Sequence, residues 1–350
     1  MKRAATLARA LLPATWAALI ALACASLLIL ASGGAPLAVY RLFLAGTWGN
    51  AYGIGQVLLK TTPLIFTGLA VAIPLKAGLF NIGADGQLTI GAFLTALVGA
   101  HLPGSFGPLA AVPLCLLAGF AGGALTGAIP GVLKATRGSH EVISTIMLNF
   151  IVRAAMVGVG AWAFVRESVH TVPIRPAAEL PRLSTVFPSL RGSAASAALV
   201  VAVLVAVAIA WLLYRTRTGF QLRAVGKSPA AAETAGISVA RVTVLAMTLA
   251  GGVAGLVGAD FVLGYKHYYE DGFGGGIGFV GIAVAVVGRN HPLGVVLAAL
   301  LFGTLAQGAL AVGAIVPKEI VDVLEAVIIC AVVGAAPEVR RLVARSAPAR

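Results

Sequence analysis

The chain has 350 residues, of which 59% are hydrophobic and only 11% charged, and its mean hydropathy is +0.99. Soluble domains carry about 25% charged residues, so a single water-soluble core is excluded and many membrane-embedded helices are expected. The net charge of +13 would suggest nucleic acid in a soluble protein; in a membrane chain the placement of the cations carries the information, and no nucleic-acid role is expected.

Apolar runs of about 20 residues predict helices near 12–31, 57–73, 88–101, 109–129, 142–164, 193–214, 242–263, 277–288, 293–314 and 320–335. The third and eighth are short enough to be broken or half-buried. The expected fold is all-α: a polytopic transmembrane helix bundle of about ten spans, residues 1–350 forming one membrane domain. Lys2 and Arg3 precede an apolar stretch, and Ala23-Cys24 faintly resembles a lipoprotein cleavage site. The stretch runs on to Ala31, and Ala21 stands where a larger aliphatic residue is needed, so an uncleaved first span is expected. With the N-terminus inside, the 25 Lys and Arg divide into sixteen in inner segments, eight in outer ones and Arg153 within a span. That asymmetry predicts both termini in the cytoplasm.

In chain order, the first polar interruption lies between Ile54 and Thr89: Lys76-Ala77-Gly78-Leu79-Phe80-Asn81-Ile82-Gly83-Ala84-Asp85-Gly86-Gln87. Asn, Asp, Gln and glycines between lipid-embedded segments are costly unless they serve a pathway for a small solute. Asn81, Asp85 and Gln87 are therefore the leading candidates, the glycines letting backbone groups join them. Farther on, Gly119, Gly123, Gly127 and Gly131 recur every four residues and predict close helix packing. Glu141, Thr145, Asn149 and Arg153 form a polar stripe of the same spacing, expected to face the bundle interior. Asn149 is a further substrate candidate, because an amide both donates and accepts. Arg153 is expected to pair with Asp260, Asp322 or Glu325.

Two loops exceed a turn. Residues 166–192 carry Pro173, Pro176, Pro181 and Pro188 and are expected outside, as a short surface helix or docking lip. Residues 215–241 are expected inside: basic, glycine-punctuated, with Ser228 and Pro229 starting a short helix over 230–235 that Gly236 stops. This reads as a docking surface for a cytoplasmic partner, with Gly219, Arg223, Gly226, Pro229 and Gly236 as its candidate coupling residues.

Other matches carry less. Gly226-Lys227-Ser228 lacks the earlier glycine of a phosphate-binding loop, Gln221 standing there. Gly276, Gly278 and Gly281 fit a dinucleotide fingerprint but precede a membrane span, so they read as a glycine-rich helix start. His101, His140, His170, His267 and His291 are scattered, and Cys24, Cys115 and Cys330 fall within separate spans. No metal site, disulfide framework, cofactor or catalytic residue is expected.

Phe80-Asn81-Ile82-Gly83-Ala84-Asp85-Gly86-Gln87 with Gly91-Ala92-Phe93 resembles an element of permease subunits in bacterial ABC importers for nucleosides and simple sugars, the branched-chain amino acid/ribose permease superfamily. The likeness continues through Glu141-Val142-Ile143-Ser144-Thr145-Ile146-Met147-Leu148-Asn149, through Thr218-Gly219-Phe220-Gln221-Leu222-Arg223-Ala224-Val225-Gly226 and Ala235-Gly236-Ile237, and through Gly278-Phe279-Val280-Gly281-Ile282-Ala283-Val284-Ala285. Asp85 stands where the family usually has Glu. By resemblance the chain is the larger of two paired nucleoside permeases, multi-pass in the bacterial inner membrane, and not an enzyme. The resemblance implies a second permease, a cytoplasmic ABC ATPase and an extracytoplasmic binding lipoprotein as partners. A nucleoside would meet polar groups at Asn81, Asp85, Gln87 and Asn149, with Phe80 and Phe93 as the apolar wall. The competing reading is an ion-coupled secondary transporter or channel using Asp260, Asp322 or Glu325; a membrane-embedded enzyme is weaker, lacking a metal-ligand pair or nucleophile elbow.

Overall fold

The computed structural model describes residues 22–31, 33–313, 315, 323, 326 and 327. The first part of the predicted span 12–31, most of 320–335, Asp322, Glu325, Cys330 and both termini lie outside the described residues. Among the described residues the chain is helical, with only three isolated β-bridges. Six helices are long and apolar enough to cross a membrane: Ala51–Lys76, Pro108–Arg137, Glu141–Gly160, Ala198–Arg215, Val239–Lys266 and Pro292–Val312; a bent pair, Leu22–Ala31 with Pro36–Thr47, would make seven. The chain is therefore a multi-pass membrane protein. Of the ten expected spans, those near 88–101 and 277–288 form helices that are not among these six, and the first part of 12–31 and most of 320–335 lie outside the described residues.

The chain divides into two compact units. One comprises residues 1–53 and 304–350. Its described part holds α1 (Leu22–Ala31) and α2 (Pro36–Thr47), the second of which the apolar runs did not predict. Ile29, Val39 and Val312 form its buried cluster, with Tyr40, Phe43 and Ala309 packed against it. The Tyr40 hydroxyl and Ser26 Oγ share a 2.9 Å hydrogen bond.

The second unit, residues 54–303, contains most of α3 (Ala51–Lys76), then α4 (Ala84–His101), α5 (Pro108–Arg137), α6 (Glu141–Ala163), α7 (Ala198–Arg215), α8 (Arg217–Lys227), α9 (Pro229–Thr234), α10 (Val239–Gly255), α11 (Ile277–Val287) and the start of α12 (Pro292–Val312). Its centre is α4, α5 and α10, joined through glycines. A Cβ on Gly119 would meet Thr95 and the carbonyls of Gly255 and Gly91; one on Gly123 would meet Gly251 and Gly255; one on Gly127, Met247 and Gly251. The four-residue stripe of α5 is thus a backbone-to-backbone seam with α10, where dispersion between helices replaces the hydrophobic effect that lipid does not supply. Beyond α10 the chain continues as a π-helical segment, Ala259–Lys266, which His267 stops at φ +65°.

Two sets of contacts tie the helix ends together within this unit. In one, α8 lies on the end of α3, with Gly226 against Lys76 and Ala77; Lys134 pairs with Glu141 at 2.6 Å; and the rings of Tyr214 and His291 stack at 5.1 Å. In the other, residues 164–197 cover the helix ends, with amides of Thr171, Ile174, Arg175 and Leu180 donating to carbonyls of Tyr269, His267, Gly99 and Leu263. In place of a single short helix this loop forms three 3-10 turns, Pro176–Ala178, Leu183–Thr185 and Pro188–Leu190. The prolines fix φ while removing the amides that a longer helix would need.

Candidate functional site

The polar element between α3 and α4 has a definite cause. Pro74 lies two residues before the end of α3, its carbonyl accepts from the amides of Ala77 and Leu79 (2.8 and 3.0 Å), and Gly78 takes φ +74° to turn the chain. Residues 79–83 then run to the start of α4 within the protein: Asn81 and Gln87 are fully buried, and Asp85 is buried. Asn81 and Gln87 form a reciprocal amide pair, with Asn81 Nδ2 donating to Gln87 Oε1 at 2.9 Å and Gln87 Nε2 donating to Asn81 Oδ1 at 3.1 Å. Asn81 Oδ1 also accepts from the Gly83 amide at 3.0 Å.

The stripe on α6 holds this element from the side. Thr145 Oγ1 accepts from the Ile82 amide at 3.3 Å; Asn149 Oδ1 accepts from the Gly86 amide at 2.8 Å while its Nδ2 donates to the Ile82 carbonyl at 2.9 Å. Asn149 thus supplies from another helix the cap that Gly83 lacks. The amides of Asn81, Gln87 and Asn149 are accordingly engaged with protein groups.

Asp85 differs. Its Oδ2 lies 3.5 Å from Arg153 Nη2, and its Oδ1 is buried with no hydrogen-bond partner among the described residues. It sits in the first turn of α4, and the start of α11 abuts it: a Cβ on Gly278 would meet the Asp85 amide nitrogen at 2.5 Å. The starts of α4 and α11 therefore meet backbone to backbone at Asp85. The expected partners of Arg153 are corrected: among the described residues it pairs with Asp85, while Asp260 is buried in the π-helical segment with its Oδ1 unpartnered. The stripe is also not wholly interior. Glu141, Thr145 and Asn149 are buried but Arg153 is 71% exposed. Four residues turn a helix by about 400°, so three steps carry the stripe about 120° round the axis.

The two aromatic candidates are not brought together. Phe80 is half-buried in the loop before α4, whereas Phe93 lies about 12 Å along the helix from Asp85, edge-on to Tyr269 at 5.6 Å and Trp162 at 6.4 Å. Tyr269 is fully buried, and its phenol is pushed well above its ordinary pKa by burial and by Asp271, to which it donates at 3.5 Å. The sequence reading missed Arg153 as the partner of Asp85 and the glycines 274–278 beside it; the stripe and the glycine run were the available signals.

Residues 215–241 form α8 and α9, with α8 packed on the turn that leads into α4. Thr216 Oγ1 and Ser228 Oγ cap them, accepting from Gly219 and Ala231 at 3.1 and 3.3 Å, and Gly236 takes φ +79° after α9. The Arg223 guanidinium lies 5.4 Å from the Tyr214 ring centre, on the ring that stacks with His291.

Residues 53–333 match the family profile described as branched-chain amino acid transport system / permease component. The chain is 37% identical over 318 residues to the guanosine ABC transporter permease protein NupP of Bacillus subtilis, covering 89% of this chain and 90% of that one. It is 35% identical to the nucleoside ABC transporter permease protein NupB of Lactococcus lactis (87% and 85% covered) and 34% identical to the glucose ABC transporter permease protein TsgB13 of Haloferax volcanii (89% and 84%). The first two organisms each hold a second, more distant matching permease, at 28% and 29% identity, which gives the chain the context of paired permeases. Its polar element, glycine-seamed bundle and matched length agree: the chain belongs to the branched-chain amino acid transport system / permease component family, as a transport subunit and not an enzyme.

Proposed function

We propose that this chain forms one half of the translocation pathway of an ATP-driven importer for nucleosides or related simple sugars in a bacterial inner membrane. The observation that carries the reading is Asp85: a carboxylate within a membrane bundle, held by a fully bonded scaffold and left with one free oxygen. The names of the relatives supply the solute class. A nucleoside or sugar is uncharged and rich in hydroxyls, which a carboxylate accepts from without demanding a counter-ion. Within the candidate set of Phe80, Asn81, Asp85, Gln87, Phe93 and Asn149, the amides position and Asp85 contacts.

A second permease completes the pathway. A separate ABC ATPase docks on α8 and α9 through Gly219, Arg223, Gly226, Pro229 and Gly236, and a binding lipoprotein delivers solute over residues 166–192. α8 rests on the turn that leads into the site, which gives ATPase movement a short route to Asp85. The basic helix ends face the cytoplasm, as do both termini. Reporter fusions within 227–234 and after Arg350 should read cytoplasm, and one within 176–188 outside; the opposite pattern would reverse the assignment of the two faces. ATP-dependent uptake of radiolabelled guanosine or glucose by the reconstituted complex tests the function itself, and absence of uptake of either class would refute it.

A further inference from the structure

Arg153 occupies an unusual position. In the candidate span Glu141–Gly160 it lies about 18 Å from the first end and about 10 Å from the second, yet its side chain is 71% exposed. Its exposed neighbours Phe150 and Ile151 on α6 are apolar. Lipid accepts those side chains and not a guanidinium, so a charged group at this depth faces water or protein. Its ion pair with Asp85 spans 3.5 Å, beyond the 2.7–2.9 Å of a well-formed charge-assisted hydrogen bond, so its donors are not consumed.

The buried side of the pair is unsatisfied too. Asp85 Oδ1 is buried with no partner among the described residues, and the nearby chain at Gly274 offers it no side-chain donor. A Cβ on Gly274 would stand 3.6 Å from that oxygen, and Gly272, Gly275 and Gly276 all adopt positive φ, where a side chain is strained. A free acceptor and a free donor thus sit side by side, at the edge of the bundle, with bare backbone over one of them.

We propose that Asp85 and Arg153 line an aqueous passage along the exposed face of α6, and that the pair is the contact for an uncharged solute presenting a hydrogen-bond donor and an acceptor on adjacent atoms. The solute donates to Asp85 Oδ1 and accepts from Arg153. The opposite charges cancel, so the passage offers no unpaired counter-ion to an anion or a cation, a phosphorylated solute included. This rests on the permease reading and adds to it Arg153 as a specificity-determining residue.

The test uses the assembled importer with Cys24, Cys115 and Cys330 replaced by Ala. Arg153→Cys is exposed to a membrane-impermeant sulfonated methanethiosulfonate, with Ile151→Cys, about 160° round the same helix, as the lipid-facing reference. R153C is expected to react at least tenfold faster than I151C, and guanosine or glucose to slow it severalfold while guanosine monophosphate does not. Should R153C fail to assemble, Val157→Cys, one turn along the same face, is expected to give the same protected reaction. Equal rates at the accessible and reference positions overturn the passage. Reaction that no uncharged solute slows, in a complex whose unsubstituted form transports, overturns the solute contact while leaving the permease reading standing; absence of uptake by the unsubstituted complex fails the permease reading instead.

Discussion

Gly226→Ala tests how α8 is joined to the site. A Cβ at residue 226 would strike the Lys76 carbonyl oxygen and stand 2.9 Å from the Lys76 carbonyl carbon and 3.0 Å from that of Ala77. These are backbone atoms of the turn that ends α3, and a Cβ on Gly78 would in turn stand 3.4 Å from Gly226 Cα, so neither side has a flexible end to move. Restoring ordinary contact with the Lys76 carbonyl requires α8 to retreat by about an ångström or more. Overpacking of this kind costs about 1–3 kcal/mol. If that cost falls on the coupled conformation, the equilibrium shifts by about 5–150-fold. Proteoliposomes with internal ATP would report it as uptake falling at least fivefold per ATP hydrolysed, with the complex still assembled. Gly138→Ala is the contrast: φ there is +64° with nothing within 4 Å, so it costs only about 1–2 kcal/mol of local backbone strain and should leave the ratio of uptake to hydrolysis unchanged. An unaltered ratio in G226A would refute the direct linkage.

Asn149→Ala removes two hydrogen bonds, to Ile82 and Gly86, worth about 0.5–1.5 kcal/mol each and more where a buried amide is left unpaired; the purified complex should melt at lower temperature and transport poorly, and an unchanged melting temperature would deny Asn149 its clamping role. Gly123→Leu places a side chain against the backbone of Gly251 and Gly255 and should abolish accumulation of the folded chain, as judged by gel filtration in detergent; normal yield would show that the seam yields. Gln87→Leu leaves the Asn81 amide without its partner at a cost of about 1–3 kcal/mol, so thermal stability should fall even with solute present; full stability would mean that the amide pair is dispensable.

What the sequence made legible were features fixed by local chemistry. Ser228-Pro229 must begin a helix, and glycines every four residues must admit a neighbour; the structure has both. The Phe80 to Gln87 element was recognised as too polar for lipid, and it lies buried at the head of α4. Which polar groups were engaged was not legible. The Asn81–Gln87 pair spans a turn whose path depends on α6, and Asn149 reaches an amide 63 residues away. Arg153 was assigned to distant acids because spacing says which residues share a helix face, not which helix end that face meets. Residues 36–47 fall in no predicted span and form α2, packed through Val39, Tyr40 and Phe43.

The central claim is that this chain moves an uncharged solute with energy supplied by a partner ATPase. Proteoliposomes holding the complete importer, loaded with ATP and treated with a protonophore, measure it most directly. Nucleoside or sugar uptake that continues undiminished, stops when ATP is replaced by a non-hydrolysable analogue, and falls sharply in Asp85→Asn is the predicted result. Uptake that collapses with the protonophore, persists without hydrolysis and is lost in Asp260→Asn would contradict it, and would move the energetics to the unpartnered carboxyl in the π-helical segment.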